Sequence, residues 1–404
     1  MSELTVRPYT EDLFDEVHRT FTSAFLRDPE SADADWFRSD MEPDRISVAF
    51  DQDELVGIAT ILTREMTLPG AVSAPVAAVT TVAVKPWHRR RGALTRLMHV
   101  QLHALHEQKG EPFAALWASE GSIYGRFGYS VAAEYASVSI PSAVPFRPGT
   151  NTGHNRVREV PRTEALPLMT ALHDKLLTRH PGWLARTERS WRWRLWDQPR
   201  ARNGASMLRF AVHPDGYAFF RTRNNWEDRG PASKIEIQEL VAATPSAHAA
   251  LWRYLLDMDQ VREVTTSVAP NDPVLLMLHD PRQAIRRIVD SLWIRLVDID
   301  RALPLRKYSA PLDTVFDITD TFCPWNEGRW RLVIDPEGTA AIERATTEPD
   351  FALDITDLGA VFLGGVRLTD LAAAGRVTEL VPGTVTRAGR AFLGDTAPHC
   401  LEVF

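Results

Sequence analysis

"AAVTTVAVKPWHRRRGALTRLMHVQLHALHEQKG", residues 77–110, changes character twice along its length. Its start, "AAVTTVAV", is a continuous β-branched and apolar run, which reads as a buried strand closed at Pro86. From Ala93 the apolar residues recur at helical spacing, and Gly110 ends the pattern. Between strand and helix stand Arg89, Arg90 and Arg91, followed by Gly92. A helix N-terminus carries backbone N–H groups without intrahelical partners and a partial positive charge. Arginines and a glycine at that point suit a pyrophosphate, because glycine lets the anion approach the backbone and guanidinium forks add donors. A solvated basic turn is the plainer alternative, and the arginines alone do not separate the two.

The surrounding sequence repeats this plan. "TEDLFDEVHRTFTSAF" (10–25) has helical spacing, with Thr10 placed to cap it, and 45–68 reads as two strands joined at "DQDE". "FAALWAS" (113–119) is a further strand, so the chain to about residue 140 is an α/β unit. A loop rich in Pro, Gly, Asn and Thr, "PSAVPFRPGTNTGHN", marks a boundary near residue 150. Beyond it "PGWLARTERSWRWRLWDQP" (181–199) carries four tryptophans. They form either an aromatic ligand wall or, the preferred reading, a packing face. The pattern of hairpin, strand, helix and strand then returns over 206–269, but its turn is "ATPSAH", with no arginine and no glycine. A second copy that has lost the anion site follows. From about residue 291 an α+β texture of roughly 110 residues runs to the end, "APHCLEVF".

Composition sets the outer limits. At 404 residues the chain exceeds a single ordinary core. A net charge of −7 argues against a nucleic-acid partner and is compatible with a cationic one. Two cysteines, Cys323 and Cys400, give neither a disulfide framework nor a metal-spaced cluster, so no metal is expected. The N-terminal stretch is acidic where a signal peptide is basic, and no apolar run approaches the roughly 20 residues of a membrane span. A cytoplasmic protein without membrane contact is the expectation.

"VAVKPWHRRRGAL" resembles the acetyl-CoA motif of the GCN5-related N-acetyltransferases (GNAT), Arg/Gln-x-x-Gly-x-Gly/Ala between strand and helix, with Arg89 and Gly92 matching and Leu94 standing where a small residue is usual. "ASEGSIYGRFGYSVA" (118–132), together with "HRRRG" and the terminal "EVF", resembles the enhanced intracellular survival (Eis) branch of that family. The resemblance implies an α/β (α+β) protein of two tandem GNAT domains, the second degenerate, and a sterol-carrier-like C-terminal domain. The corresponding boundaries are 1–148, 149–290 and 291–404. It implies acetyl-CoA as co-substrate, held by Arg89, Arg90 and Arg91, by the amides of Gly92, Ala93, Leu94 and Thr95, and by the strand Val82, Ala83 and Val84. Ser119 and Glu120 match positions lining the cofactor.

For catalysis the resemblance assigns Tyr124 as general acid. A phenol with reference pKa near 10 stays protonated at pH 7 and can protonate a departing thiolate. The base in that family is the carboxylate of the last residue, here Phe404, and the apolar alternation of "CLEVF" suggests an anchored tail. The implied reaction is acetylation of amines on polycationic substrates, aminoglycosides above all, by a homo-hexamer. Acetylation of lysine, peptides or small amines is the alternative. A non-enzymatic lipid carrier or scaffold would need neither the arginine turn nor Tyr124. The acids of "FLRDPESADADWF" (Asp28, Glu30, Asp33, Asp35) lie in a loop that would shape the acceptor pocket.

Overall fold

The arginine turn follows a long strand inside a seven-stranded sheet. In the computed structural model, which describes residues 4–28, 34, 37–39 and 41–404, that sheet contains β1 (Leu4–Pro8), β2 (Ile46–Asp51), β3 (Glu54–Leu68), β4 (Val72–Val84), β5 (Phe113–Trp117) and β6 (Ser130–Val131). The strand Leu292–Leu296 lies between β5 and β6, giving the order β1-β2-β3-β4-β5-(292–296)-β6. Successive strand residues face opposite sides. Val48, Leu55 and Ile58 therefore pack with Phe14 and Val17 of α1 (Phe14–Ala24), while Ala49, Val56 and Ala59 pack with Leu97, Met98 and Leu102 of α2 (Ala93–Glu107). The two helices cover the two faces. Of the loop acids, Glu30, Asp33 and Asp35 lie outside the described residues.

Two details of these helices depart from the sequence reading. Thr10 opens the first helical turn through its carbonyl, which accepts from the Leu13 amide, and its hydroxyl makes no cap. At the end of α2 the left-handed residue is Lys109 (φ +53°), while Gly110 N–H reaches back to the Leu105 carbonyl at 2.9 Å. The stop is where the glycine predicts it, but the glycine does not take the positive φ.

By their contacts, the residues to Ala133, Ser291–Pro398 and Glu402–Phe404 form one unit, and Glu134–Asp290 with His399–Leu401 form another. The first unit also holds a five-stranded sheet in the order 340–344, 328–334, 312–319, 351–354, 377–379, with helices Ile355–Val361, Leu368–Ala373 and Thr384–Phe392. Its fully buried Arg306 donates to the Val361 carbonyl at 3.1 Å and the Phe392 carbonyl at 2.7 Å. One cation thereby caps two helix C-termini, where carbonyls lack partners.

The second unit carries its own seven-stranded sheet, ordered 285–290, 134–141, 261–268, 233–242, 216–223, 209–213, 158–160. Its strand Glu134–Pro141 precedes residue 149, and Leu292–Leu296 of the first sheet follows residue 291. Sheet membership thus crosses both divisions read from composition, since strand pairing is decided by partners far away in sequence. Of the four tryptophans, Trp183 and Trp191 sit in this unit's core with Leu172 and Phe219, and Trp193 is exposed. A buried network lies nearby. Glu239 accepts from both terminal nitrogens of Arg186 at 2.8 Å, from Arg194 at 3.1 Å and from the Tyr217 hydroxyl at 2.7 Å. Those donors outweigh burial and hold its carboxyl at about 2.

Candidate active site

β4 and β5 are parallel neighbours only at Ala77–Ala78 and Ala114–Ala115, after which they part. On its other edge β4 stays paired to β3 as far as Gly57–Val84, but two β4 residues, Thr81 and Val82, oppose the single Ala59. That is a β-bulge, and Thr81 adopts φ +52°, uncommon for a β-branched residue. The bulge turns the strand end beside the gap left by β5. Val82, Ala83 and Val84 line a cavity of about 660 Å³ there. Sequence reading missed Thr81, because nothing in a run of β-branched residues signals a positive φ.

The turn after β4 forms the next wall. Arg90 (φ +63°) and Gly92 (φ +94°) are both left-handed, a backbone form that gathers successive N–H groups into an anion-binding concavity. Gly92 is the N-cap residue of α2, and no side chain caps that helix. A Cβ at Gly92 would find its nearest atom 4.0 Å away, so glycine is required there by its φ rather than by crowding. Arg89, Arg90, Gly92, Ala93, Leu94 and Thr95 all line the cavity.

Neighbouring acids decide which basic residues remain available. Asp51 and Glu54 flank the β2–β3 hairpin. His88 Nε2 lies 3.4 Å from Asp51 and 3.7 Å from Glu54, while Arg91 lies 3.9 Å from Asp51. Glu54 also accepts from Trp87 Nε1 at 3.2 Å and Lys85 Nζ at 3.3 Å. Arg91, largely exposed on the hairpin side, is not among the residues lining the cavity. Arg89 and Arg90 make no salt bridge among the described residues.

The third wall follows β5. Ser119 and Glu120 line it, as does Tyr124 at the start of a short 3₁₀ turn (Tyr124–Phe127). Tyr124 is 5% exposed and packs edge-on to Tyr129, with ring centroids 6.0 Å apart. Burial first, and then the Glu120 charge, push its hydroxyl up to about 12, so the phenol keeps its proton at neutral pH. Ala24, Phe25, His88, Ser122, Ile123 and Arg126 are the remaining described residues of the lining and were not among the residues singled out from sequence, although Arg126 lies inside the quoted "SIYGRFGY".

Phe404 is not among the cavity-lining residues. Its tail is anchored nonetheless: the His399 amide donates to the Pro181 carbonyl at 2.9 Å, and Leu401 packs against the core of Trp183 and Trp191. Val403 is 60% exposed, so the alternation that would pair it with Leu401 does not hold. Among the described residues no cluster of His, Cys, Asp or Glu has a metal-binding arrangement, and no helix is long and apolar enough to cross a membrane.

The donor set suits a phosphorylated thioester: uncapped amides and arginines without a carboxylate partner among the described residues for phosphates, an unpaired strand edge for an amide-bearing arm, and a protonated phenol beside it. The second unit's equivalent helix, Pro245–Leu256, contrasts with this. Its N-cap Thr244 accepts from the Ala247 amide at 3.2 Å, and His248 beside it pairs with Asp272 at 3.2 Å. That helix caps itself and keeps an acid close by, which leaves little for an anion to bind.

Comparison with known proteins agrees with this geometry. Residues 5–132 and 182–296 each match an acetyltransferase (GNAT) domain family, and 299–401 match a sterol carrier protein domain. An uncharacterized N-acetyltransferase of Streptomyces avermitilis is 41% identical over 366 residues, 88% of each chain. N-acetyltransferase Eis of Mycobacterium tuberculosis is 34% identical over 351 residues, 85% of this chain and 84% of that one. The crystal structure of Eis1 from Mycobacterium abscessus superposes with a TM-score of 0.84 at 31% identity, covering 99% of this chain and all of that one.

Proposed function

The chain belongs to the Eis family of N-acetyltransferases, and we propose that within it this enzyme acetylates amines of polycationic substrates, aminoglycosides foremost. It transfers acetyl from acetyl-CoA to an amine. In the proposed mechanism the amides of Gly92 to Thr95, with Arg89 and Arg90, hold the pyrophosphate. The β4 edge at Val82–Val84 aligns the pantetheine arm, and an amide there polarises the thioester carbonyl. Ser119 and Glu120 line the bound thioester. The acceptor amine attacks the carbonyl carbon, the C–S bond breaks, and Tyr124 gives its proton to the leaving thiolate. The observation that carries this reading is the buried, protonated Tyr124 lining the same cavity as the uncapped helix N-terminus.

The α-carboxylate of Phe404 takes the proton from the attacking amine. With a reference pKa near 3.5 it is a weak base in water, and in this reading its negative charge also attracts the cationic substrate. Support comes from the grouping of Glu402–Phe404 with the unit that holds Tyr124. In this reading residues 1–148 bind acetyl-CoA, 149–290 are a cofactor-free copy, and 291–404 supply the tail of a cytoplasmic homo-hexamer. The acidic balance of −7 favours polycationic acceptors. The test is acetyl-CoA turnover against a panel of aminoglycosides, lysine peptides and polyamines. Aminoglycosides should give the highest kcat/KM, and exclusive turnover of lysine peptides would replace that substrate assignment.

A further inference from the structure

The cofactor cleft holds a cation that the arginine turn does not supply. Arg126 lies two residues after Tyr124 and lines the same cavity as Arg89 and Arg90, but from the segment after β5. Its guanidinium carbon sits 4.8 Å from the centroid of the Phe127 ring, and Phe127 is fixed in the core at 1% exposure. A planar cation resting on a buried ring loses little freedom when it engages a phosphate. Arg126 makes no salt bridge among the described residues.

Charge matching says what this cation is for. The turn offers the α2 amides, Arg89 and Arg90, a set sufficient for a pyrophosphate. CoA carries a further phosphomonoester on its ribose 3′-oxygen, and a phosphomonoester holds about −1.5 to −2 charges at pH 7. Arg91, the third arginine of the turn, is turned toward Asp51 and does not line the cleft. We propose that Arg126 binds the 3′-phosphate and is the residue by which the enzyme selects CoA over 3′-dephospho-CoA. This rests on reading the cavity as the acetyl-CoA site.

Calorimetry with CoA and with 3′-dephospho-CoA on the full chain tests it, using the parent protein, Arg126→Gln and Arg90→Gln. Arg126→Gln should weaken CoA by roughly ten- to a hundredfold, the size of one charge-assisted contact, and leave 3′-dephospho-CoA unchanged. Arg90→Gln should weaken both ligands. Arg126 is exposed, so matching thermal melts of variant and parent will separate lost contact from lost fold. An Arg126→Gln protein that binds CoA like the parent, or loses both ligands equally, overturns the assignment while the cleft reading stands. If Arg90→Gln also leaves both ligands unaffected, the cleft reading falls, and this inference with it.

Discussion

Tyr124 lines the cavity with a phenol that burial keeps protonated, the form the proposed acid role requires. Its neighbour Tyr129 has the same phenol, also pushed up by burial, but it is sealed among core residues and does not line the cavity. Tyr124→Phe keeps the ring and removes only the proton. Turnover should fall about 100-fold or more, with CoA affinity unchanged in calorimetry; retention of near-full turnover would move the acid role elsewhere. Because the hydroxyl titrates near 12, activity should show no loss from Tyr124 ionisation anywhere up to pH 9. Gly92→Ala should be costly for a different reason. Forcing an alanine to φ +94° costs roughly 1–2 kcal/mol and distorts the amides aimed at the phosphates, so melting temperature and CoA affinity should drop together. Both residues were legible in sequence, Tyr124 through its motif and Gly92 through its place between arginine and helix. The bulge at Thr81 and the absence of Arg91 from the lining were not, since neither leaves a local trace in the sequence.

At the scale of elements, hydrophobic periodicity located the strand–turn–helix units in both copies. Within 206–269 the expected helix is Pro245–Leu256 and the strand before it Ser233–Ala242. What periodicity could not supply was pairing. Glu134–Pro141 and Leu292–Leu296 are ordinary strands whose sheets are chosen by remote partners. The lack of arginine and glycine at the second copy's turn was legible from "ATPSAH", but the threonine that caps the helix there emerges only from the fold. The second unit also carries histidines kept neutral by burial. His399 is brought down to about 4, and His173 and His180 lie below their ordinary value for the same first cause. The unfolded chain binds protons near pH 6.5 that the folded unit refuses, so stability falls as pH drops below 6.5 and continues to fall toward 4. Urea melts at pH 7 and pH 5 should show it, and His399→Asn should flatten the dependence; an unchanged pH slope in the variant would remove His399 from the account.

Over the whole molecule, one chain contains two acetyltransferase-type sheets, only one of which has an uncapped, arginine-bearing helix start. In the proposed mechanism the far end of the chain supplies the base. A C-terminal tag that turns the Phe404 carboxylate into an amide should abolish most acetyl transfer while leaving CoA binding and melting intact, and an N-terminal tag should be harmless. Full activity of the C-terminally tagged enzyme would take the base role from Phe404. The claim on which the rest stands is that acetyl-CoA is held at the β4–α2 turn and nowhere else in the chain. Isothermal calorimetry of CoA binding measures it directly. One site per chain is expected; two equivalent sites per chain, or none, would rule out the turn as the binding site.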